Sequence, residues 1–341
     1  MRTGIGVRGN GPVFVFGSRS RCSFRRAETA FLAFKIMPRA AHSEGPGPFL
    51  KWAGGKSQLL SHILPRFPER LRTYYEPFIG GGAVFFALAK TCRFERAVLG
   101  DLNPALVEVY TVVRDEVSAL EEALGVLAVG ASDPDFYYDV RGWDPQTLDP
   151  VKRTARFLFL NKTCFNGLYR VNRKGRFNVP FGRHKNPRVL NAPRLRAASR
   201  VLQGVTIVHS DFDRLVQHVR RGDGVYFDPP YVPVSATSSF TAYAAHPFTY
   251  RDHERLAETY RQLIRRGVTA VLSNSDCAFT RALYEDLEVE CVQASRAINS
   301  VASRRGTISE LLVVGMPEQS DVGLRPATEV VTSGIAPVRS A

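Results

Sequence analysis

Four consecutive residues combine an acid, two prolines and an aromatic ring: Asp228, Pro229, Pro230 and Tyr231 follow the apolar run at 225–227. The prolines make a rigid turn, and the carboxyl end of a strand in an open α/β sheet faces the ligand crevice. The Asp228 carboxylate and the Pro229 carbonyl can accept both hydrogens of an exocyclic amine, whose lone pair then turns out of the base ring toward a methyl donor. Tyr231 can stack on that base. The tetrapeptide therefore predicts methylation of an amino group such as that of adenine.

A glycine-rich loop occupies residues 78–82, with Phe78, Gly80 and Gly82 among them, between a strand-like run and a helical stretch. Glycines let the backbone approach a ligand closely, and the start of a helix offers free N–H groups. Asp101 ends the next strand about twenty residues later, where a carboxylate can bind both hydroxyls of a ribose. Together the loop and the acid predict a cofactor that contains adenosine. The alternative for Asp101 is a cap on the helix that follows.

A third candidate is the segment at 49–56, which contains Lys51, Trp52, two glycines and Lys56. It could wrap an anionic group, but its spacing does not match the phosphate-binding loop Gly-x-x-x-x-Gly-Lys-Ser/Thr. The alternative is that Trp52 is a core aromatic residue and Lys56 a solvated charge.

The composition narrows the class of protein. The chain has 341 residues, 44% of them hydrophobic, with 46 basic and 32 acidic residues and a net charge of +14. These values exclude a disordered, collagen-like or disulfide-scaffold protein, and the charge favours a nucleic-acid partner. No apolar run is long enough for a transmembrane helix. The five cysteines are dispersed, which predicts no metal site and a reducing cytoplasm.

The pattern of apolar residues predicts alternating strands and helices. Strands are expected at 74–78, 97–100, 205–208, 225–227 and 270–272, and helices at 83–90 and 106–127. A further helix is expected after Thr249, with Asp252 completing a capping box and Gly267 ending it. This alternation predicts an α/β fold with a mostly parallel sheet. The block at 157–183, rich in Asn, Arg, Gly and aromatic residues, interrupts it as a smaller domain.

Taken together, these segments resemble those of Dam-type adenine-N6 DNA methyltransferases of bacteria and their phages. The resemblance covers roughly residues 48–316. Its motifs, in order, are the Trp-Gly-Lys segment, Glu76-Pro77-Phe78-Ile79-Gly80-Gly81-Gly82, Asp101-Leu102-Asn103, Asn166-Gly167-Leu168-Tyr169-Arg170, Phe177-Asn178-Val179-Pro180-Phe181-Gly182, Asp228-Pro229-Pro230-Tyr231 and Phe240-Thr241-Ala242-Tyr243.

The resemblance implies a Rossmann-like sheet dependent on S-adenosylmethionine, with a smaller, mainly helical DNA-recognition domain inserted. We expect the catalytic domain at 48–112 and 200–316 and the recognition domain at 113–199. A disordered basic extension is expected at 1–47. The alternatives are a start codon assigned too early, a transit peptide and a basic arm that binds DNA. A loose tail is expected at 317–341.

The resemblance also assigns the cofactor site. S-adenosylmethionine would be bound by Trp52, Lys56, Phe78, Gly80, Gly82, Asp101 and Asp228. Asp211 is a further candidate, for the amino group of the cofactor's adenine. The target adenine would be held by residues 228–231.

The same resemblance implies how double-stranded DNA is recognised, with GATC as the target. The residues assigned to DNA are Lys51, Phe165, Asn166, Leu168, Arg170, Pro180 and Arg183. Arg170 can donate two hydrogen bonds to guanine, and Leu168 and Pro180 can contact a thymine methyl group. Phe165, where the family commonly has tyrosine, could fill the gap left by a flipped adenine. Lys51 would contact the first guanine, and Arg183 a phosphate or the edge of the site.

Two alternatives are weighed against this interpretation. One is an amino-methyltransferase acting on RNA or on protein glutamine; the other is a non-catalytic DNA-binding relative. The block around Arg170 argues against the first, and the presence of the residues needed for methyl transfer argues against the second. We further expect a monomer without metal, in the bacterial cytoplasm and associated with the nucleoid. The sequence leaves open whether the enzyme is solitary, phage-encoded or part of a restriction-modification pair.

Overall fold

A seven-stranded sheet forms the centre of the computed structural model, which describes residues 45–232, 248–295 and 307–316. The strands are β1 (Leu71–Glu76), β2 (Phe94–Asp101), β3 (Thr206–His209), β4 (Gly224–Phe227), β5 (Thr269–Ser275), β6 (Glu288–Ser295) and β7 (Thr307–Gly315). Their spatial order is β3-β2-β1-β4-β5-β7-β6.

The direction of the strands defines the fold class. Strands β1 to β5 are mutually parallel, and β7 runs antiparallel to both β5 and β6. The chain reverses its direction of winding between β1 and β4, and such a switch point opens a crevice at the carboxyl ends of the strands. The sheet is Rossmann-like, and the α/β class predicted from the sequence is confirmed.

Ten α-helices lie within the described ranges. They are α1 (Leu60–Ile63), α2 (Ala83–Lys90), α3 (Pro104–Asp115), α4 (Val117–Ala128), α5 (Pro134–Gly142), α6 (Pro150–Thr163), α7 (Ala192–Leu202), α8 (Phe212–Leu215), α9 (Tyr250–Arg265) and α10 (Ala278–Leu283). Short 3-10 turns occupy Lys56–Gln58, Leu64–Arg66, Pro145–Thr147 and Phe165–Gly167.

The capping box predicted at the start of α9 is present. The Asp252 backbone N–H donates to Thr249 Oγ1 at 3.3 Å, and the Thr249 N–H donates to Asp252 Oδ2 at 2.8 Å. Gly267 follows the helix with a φ of +74°, a conformation that glycine adopts without strain. Local sequence therefore determines both ends of this helix.

The single helix predicted at 106–127 is wrong, because α3 and α4 are separate helices that break at Glu116 (φ −127°, ψ 33°). The apolar spacing continues across the break, and no glycine or proline marks it. The Arg114 carbonyl accepts hydrogen bonds from the side chains of Ser199 in α7, at 3.1 Å, and of Gln203, which follows α7, at 2.6 Å. Contacts distant in sequence thus satisfy a helix-end carbonyl, and sequence periodicity does not report them.

The core lies on both sides of the sheet. Along β4 the buried side chains alternate: Val225 and Phe227 pack in one cluster with α9, and Tyr226 packs in the other. That second cluster is larger and joins residues of β1 and β2 to buried residues of α2 to α7. The helices that precede the block at 164–183 are therefore anchored to the same core as the strands. No helix of the described chain is long and apolar enough to cross a membrane.

Candidate active site and nucleic-acid interface

The carboxyl ends of the parallel strands bring several polar side chains to one face of the sheet. Residues in register share a face, and side chains alternate along a strand. Phe227 pairs with Leu272, so the next residues, Asp228 and Ser273, stand side by side. Ser275 pairs with Glu310 of β7, which places that carboxylate on the same face. This edge of the sheet is the candidate active site.

Asp228 has two donors on one of its oxygens. Lys56 Nζ lies 2.8 Å from Asp228 Oδ1, and Ser273 Oγ donates to the same oxygen at 3.1 Å. Burial raises the pKa of Asp228, and the Lys56 charge and the two hydrogen bonds oppose that rise. Lys56 is itself buried, so the alternative that it is a solvated surface charge is wrong. It also donates to the Gly54 carbonyl.

The turn that follows Asp228 is held by β5 and β7. The Val232 N–H donates to Asn274 Oδ1 at 3.2 Å, and Ser275 Oγ donates to the Val232 carbonyl at 2.6 Å. Tyr231 donates its hydroxyl to Glu310 Oε2 at 2.6 Å, and Lys56 Nζ lies 4.7 Å from the centre of its ring. The proline turn is thus fixed at both ends by polar groups of the sheet.

The glycine loop has the conformation that its residues predict. Gly80 and Gly82 have φ values of +44° and +68°. A Cβ atom on Gly80 would lie 2.8 Å from Trp52 Cδ1, and one on Gly82 would lie 2.7 Å from the Tyr110 hydroxyl. Side chains at these positions would therefore clash as well as strain the backbone. Phe78, at the start of the loop, stacks on Phe212 with a centroid distance of 5.7 Å.

Asp101 lies beside this loop at the end of β2. Its Oδ1 accepts from the Asn103 N–H at 2.9 Å and its Oδ2 from the Gly80 N–H at 3.4 Å. Burial raises its pKa to about 6. The cap of α3 is Asn103, whose side chain accepts from the Ala105 N–H at 3.1 Å. The helix-cap alternative for Asp101 is therefore wrong.

Glu76 ends β1 in the same region and was not assigned a site role from the sequence. It is buried, and its Oε2 accepts from the Tyr74 hydroxyl at 2.7 Å and from the Phe85 N–H at 3.0 Å. Burial raises its pKa to about 8. An acid at the last position of an apolar strand was the available signal. Its contact with the N-terminus of α2 helps fix the glycine loop between them.

Trp52 lies between the glycine loop and aromatic residues of the block at 157–183. Its ring stacks on Tyr169 and Phe157, with centroid distances of 5.6 and 6.5 Å. It is half-buried, and its ring also lies against Gly80 of the glycine loop.

Asn161 of α6 joins Lys51, the residue before Trp52, to the turn at Gly167. The Lys51 N–H donates to Asn161 Oδ1 at 2.8 Å, and Asn161 Nδ2 donates to the carbonyls of Lys51, at 2.7 Å, and Gly167, at 3.2 Å. Asn161 is 2% exposed. Sequence reasoning missed this residue, because nothing local shows that it bridges segments more than one hundred residues apart.

Residues 164–183 form an irregular hairpin, which we call the recognition hairpin. Cys164 and Phe181 form an antiparallel bridge, as do Val171 and Phe177. The Phe165 N–H donates to the Pro180 carbonyl at 2.9 Å.

Six of the residues assigned to DNA belong to this hairpin. Phe165 is 43% exposed; Asn166 and Arg183 have φ values of +54° and +51°. Arg170 is exposed, and its Nε donates to Asn178 Oδ1 at 2.7 Å. The remaining assigned residues are Pro180, which is exposed, and Leu168, which is partly buried against the core.

Asp211 has other partners. Its Oδ1 accepts from the Phe212 N–H at 2.8 Å, where it caps α8, and its Oδ2 accepts from Arg255 Nη1 at 2.7 Å.

The motif Phe240-Thr241-Ala242-Tyr243, the N-terminal extension and the C-terminal tail fall outside the described residues, apart from residues 45–47. Among residues that are described, no group of three or more His, Cys, Asp or Glu side chains could hold a metal ion.

The Rossmann-like sheet, with its glycine loop, strand-end acid and Asp-Pro-Pro-Tyr turn at one edge, defines an α/β enzyme of the amino-methyltransferase type. The family described as D12 class N6 adenine-specific DNA methyltransferase matches residues 52–298. The chain belongs to this family and is an adenine-specific DNA methyltransferase.

Individual relatives agree with the family match. The chain is 44% identical over 283 residues to "Type II methyltransferase M.MjaIII" of Methanocaldococcus jannaschii, which covers 78% of this chain and 98% of that protein. It is 40% identical over 272 residues to "Type II methyltransferase M1.LlaDCHI" of Lactococcus lactis subsp. cremoris, covering 78% and 94%. It is 36% identical over 272 residues to "DNA adenine methylase" of Escherichia coli, covering 79% and 95%.

Proposed function

We propose that this methyltransferase transfers a methyl group from S-adenosylmethionine to N6 of an adenine flipped out of duplex DNA, within the sequence GATC. The observation that carries the proposal is the arrangement at the carboxyl edge, where the turn at 228–231 stands beside the glycine loop and Asp101. Relatives named DNA adenine methylase support the same substrate.

The residues at this edge fit S-adenosylmethionine. Gly80 and Gly82 have positive φ values that let the loop turn tightly and bring its backbone close to a ligand, and Asp101 lies beside the loop, where its carboxylate accepts from the Gly80 N–H. Asp101 and Asp228 place two acidic side chains at this edge, and such a site suits a ligand that carries a sulfonium and an ammonium group. The cofactor would supply an electrophilic methyl group. Trp52, Lys56, Phe78, Gly80, Gly82, Asp101 and Asp228 would hold it.

The protein's own groups would prepare the adenine. The Asp228 carboxylate and the Pro229 carbonyl would accept the two hydrogens of N6 and turn its lone pair out of the ring. Tyr231, held by Glu310, would stack on the flipped base. As N6 gains the methyl carbon it loses one proton, which the Asp228 carboxylate would accept. Burial, which raises the pKa of Asp228, favours that step.

Recognition of the sequence would fall to the recognition hairpin and Lys51. Exposed Arg170 suits a bidentate contact with guanine, Leu168 and Pro180 would contact a thymine methyl group, and Phe165 would fill the gap left by the flipped adenine. The net charge of +14 favours the DNA backbone. Residues 113–199 would form the recognition domain, and the protein would act as a monomer.

The test is methyl transfer from labelled S-adenosylmethionine to three substrates: a GATC duplex, the same duplex with GTTC, and RNA. We expect label on the GATC duplex alone. Absence of label from both duplexes would contradict the proposal, and label on RNA alone would favour the RNA alternative. Equal label on both duplexes would contradict only the specificity.

A further inference from the structure

A chain of hydrogen bonds runs from the interior of the sheet to the Asp228 carboxylate. The hydroxyls of Tyr226 and Ser273 lie 2.8 Å apart, and Ser273 Oγ lies 3.1 Å from Asp228 Oδ1. Tyr226 and Ser273 are 1% and 0% exposed. Both lie on the face of the sheet that carries Asp228, because Tyr226 precedes it by two residues on β4 and Ser273 is beside it on β5.

The chemistry of the three groups sets the direction of the chain. An ionised carboxylate can only accept, so the single hydroxyl hydrogen of Ser273 goes to Asp228. Ser273 Oγ must then accept from the Tyr226 hydroxyl, and that bond keeps the serine rotamer pointed at the carboxylate. Lys56 Nζ approaches the same Oδ1 at 2.8 Å. In the described parts of the chain, no donor reaches Asp228 Oδ2.

Two donors, Lys56 and Ser273, fix the orientation of the Asp228 carboxylate more firmly than Lys56 alone could. The terminal torsion of aspartate is broad, and lysine is a point charge on a flexible stem, so Lys56 alone permits the carboxylate to rotate. The fixed Ser273 hydroxyl supplies a second direction. With Oδ1 held from two sides, Oδ2 is the oxygen left for another donor.

We propose that Ser273 is a positioning residue for methyl transfer, with Tyr226 fixing its hydroxyl, so that Asp228 presents Oδ2 to the amine of the target base. This inference rests on the proposed function and adds to it which oxygen acts and what orients it. Neither residue need touch the base or the methyl donor.

The test compares Ser273→Ala with wild type on the GATC duplex. We expect kcat to fall about tenfold or more, in line with loss of a hydrogen bond to a charged group. The KM for DNA and the Kd for S-adenosylmethionine should stay within about twofold, because Ser273 acts on orientation and not on binding. A fall in binding with kcat unchanged would overturn the proposal.

A double-mutant cycle with Tyr226→Phe keeps the test independent of folding. Tyr226→Phe should lower kcat less than Ser273→Ala, and the double variant should be no worse than Ser273→Ala, because Tyr226 acts through the serine. The matched control is Tyr284→Phe, which removes a buried hydroxyl that has no hydrogen-bond partner among the residues that the structure describes. It should leave kcat unchanged.

The outcomes separate this inference from the function on which it rests. If wild type transfers no methyl group to DNA, the proposed function fails first. If wild type is active and Ser273→Ala matches the Tyr284→Phe control, only the positioning role is wrong. Additive losses in the double variant would show that Tyr226 does not act through Ser273.

Discussion

The catalytic edge and the recognition hairpin are built in opposite ways. At the edge, Asp228 is placed by the register of β4 and β5 and is contacted by buried side chains on both sides. On the hairpin, Arg170 is exposed and is held by Asn178 of the facing arm. The proposed catalytic groups are thus positioned by the sheet, whereas the residues proposed to recognise bases lie on a short surface element anchored at its base.

This difference separates what a change in each region should do. Removal of a group at the edge should impair methyl transfer or cofactor binding and leave the choice of DNA site unaffected. Removal of a group from the hairpin should change which sequence is preferred while the methyl-transfer machinery stays intact. Three predictions test this division and a fourth concerns the stability of the edge; they are given in decreasing order of effect.

Asp228→Ala should give the largest loss, about 10²–10⁴-fold in kcat, because it removes the acceptor for the amine and its proton. Binding of S-adenosylmethionine is also expected to weaken, since Lys56 loses its partner. Single-turnover transfer of label to the GATC duplex measures the loss. Asp286→Asn, which alters an exposed pair with Arg261, is the control, and turnover of Asp228→Ala equal to that control would refute the assignment.

Asp101→Ala should raise the Kd for S-adenosylmethionine by about 10- to 100-fold, the range typical of lost hydrogen bonds to a charged partner. Calorimetric titration with the cofactor in the absence of DNA measures it. The preference for GATC over GTTC should not change at saturating cofactor. An unchanged Kd would return Asp101 to a purely structural role beside the glycine loop.

Arg170→Ala should reduce the ratio of kcat/KM between the GATC duplex and one lacking the contacted guanine by about tenfold. Asn178→Ala should reduce the same ratio less, because the guanidinium stays but loses a partner that orients it. Both duplexes are compared at one salt concentration. Should both rates fall together with the ratio preserved, Arg170 would be a phosphate contact only.

Glu76→Gln should change the pH dependence of stability more than activity. The pKa of Glu76 is raised from 4.5 to about 8 by burial, so the native state keeps a proton that the unfolded chain releases between these values. The contribution of Glu76 to the free energy of unfolding is therefore present in full at low pH and is lost as the pH rises toward 8. The variant should therefore lose less free energy of unfolding between pH 5 and pH 8 in urea titrations.

The control for this prediction is Glu285→Gln, which neutralises an exposed carboxylate on the loop after α10. Its pH dependence should match that of wild type. If the free energy of unfolding of Glu76→Gln changed with pH as it does in wild type, Glu76 would already be ionised in the folded protein at pH 5.

Which parts of the fold and of the candidate site the sequence predicts depends on how far apart in the chain the interacting residues lie. Local signals located the strand ends at Asp101 and Asp228, the glycine loop and the capping box at Thr249, because each depends on neighbours in the chain. The break at Glu116 and the contacts of Ser273 and Asn161 were missed. Each depends on contacts between elements far apart in sequence, which no local pattern contains.

The asparagine that joins Lys51 to the turn at Gly167 has a consequence for exchanging specificity between related enzymes. Residues that would recognise the two ends of one DNA site come from segments separated by more than one hundred positions, yet one carboxamide links their backbones. A hairpin transplanted alone would leave behind its own N-terminal segment, in which Trp52, the residue after Lys51, packs on Tyr169. Under the proposed assignment, specificity therefore depends on both segments, and a successful graft must carry both.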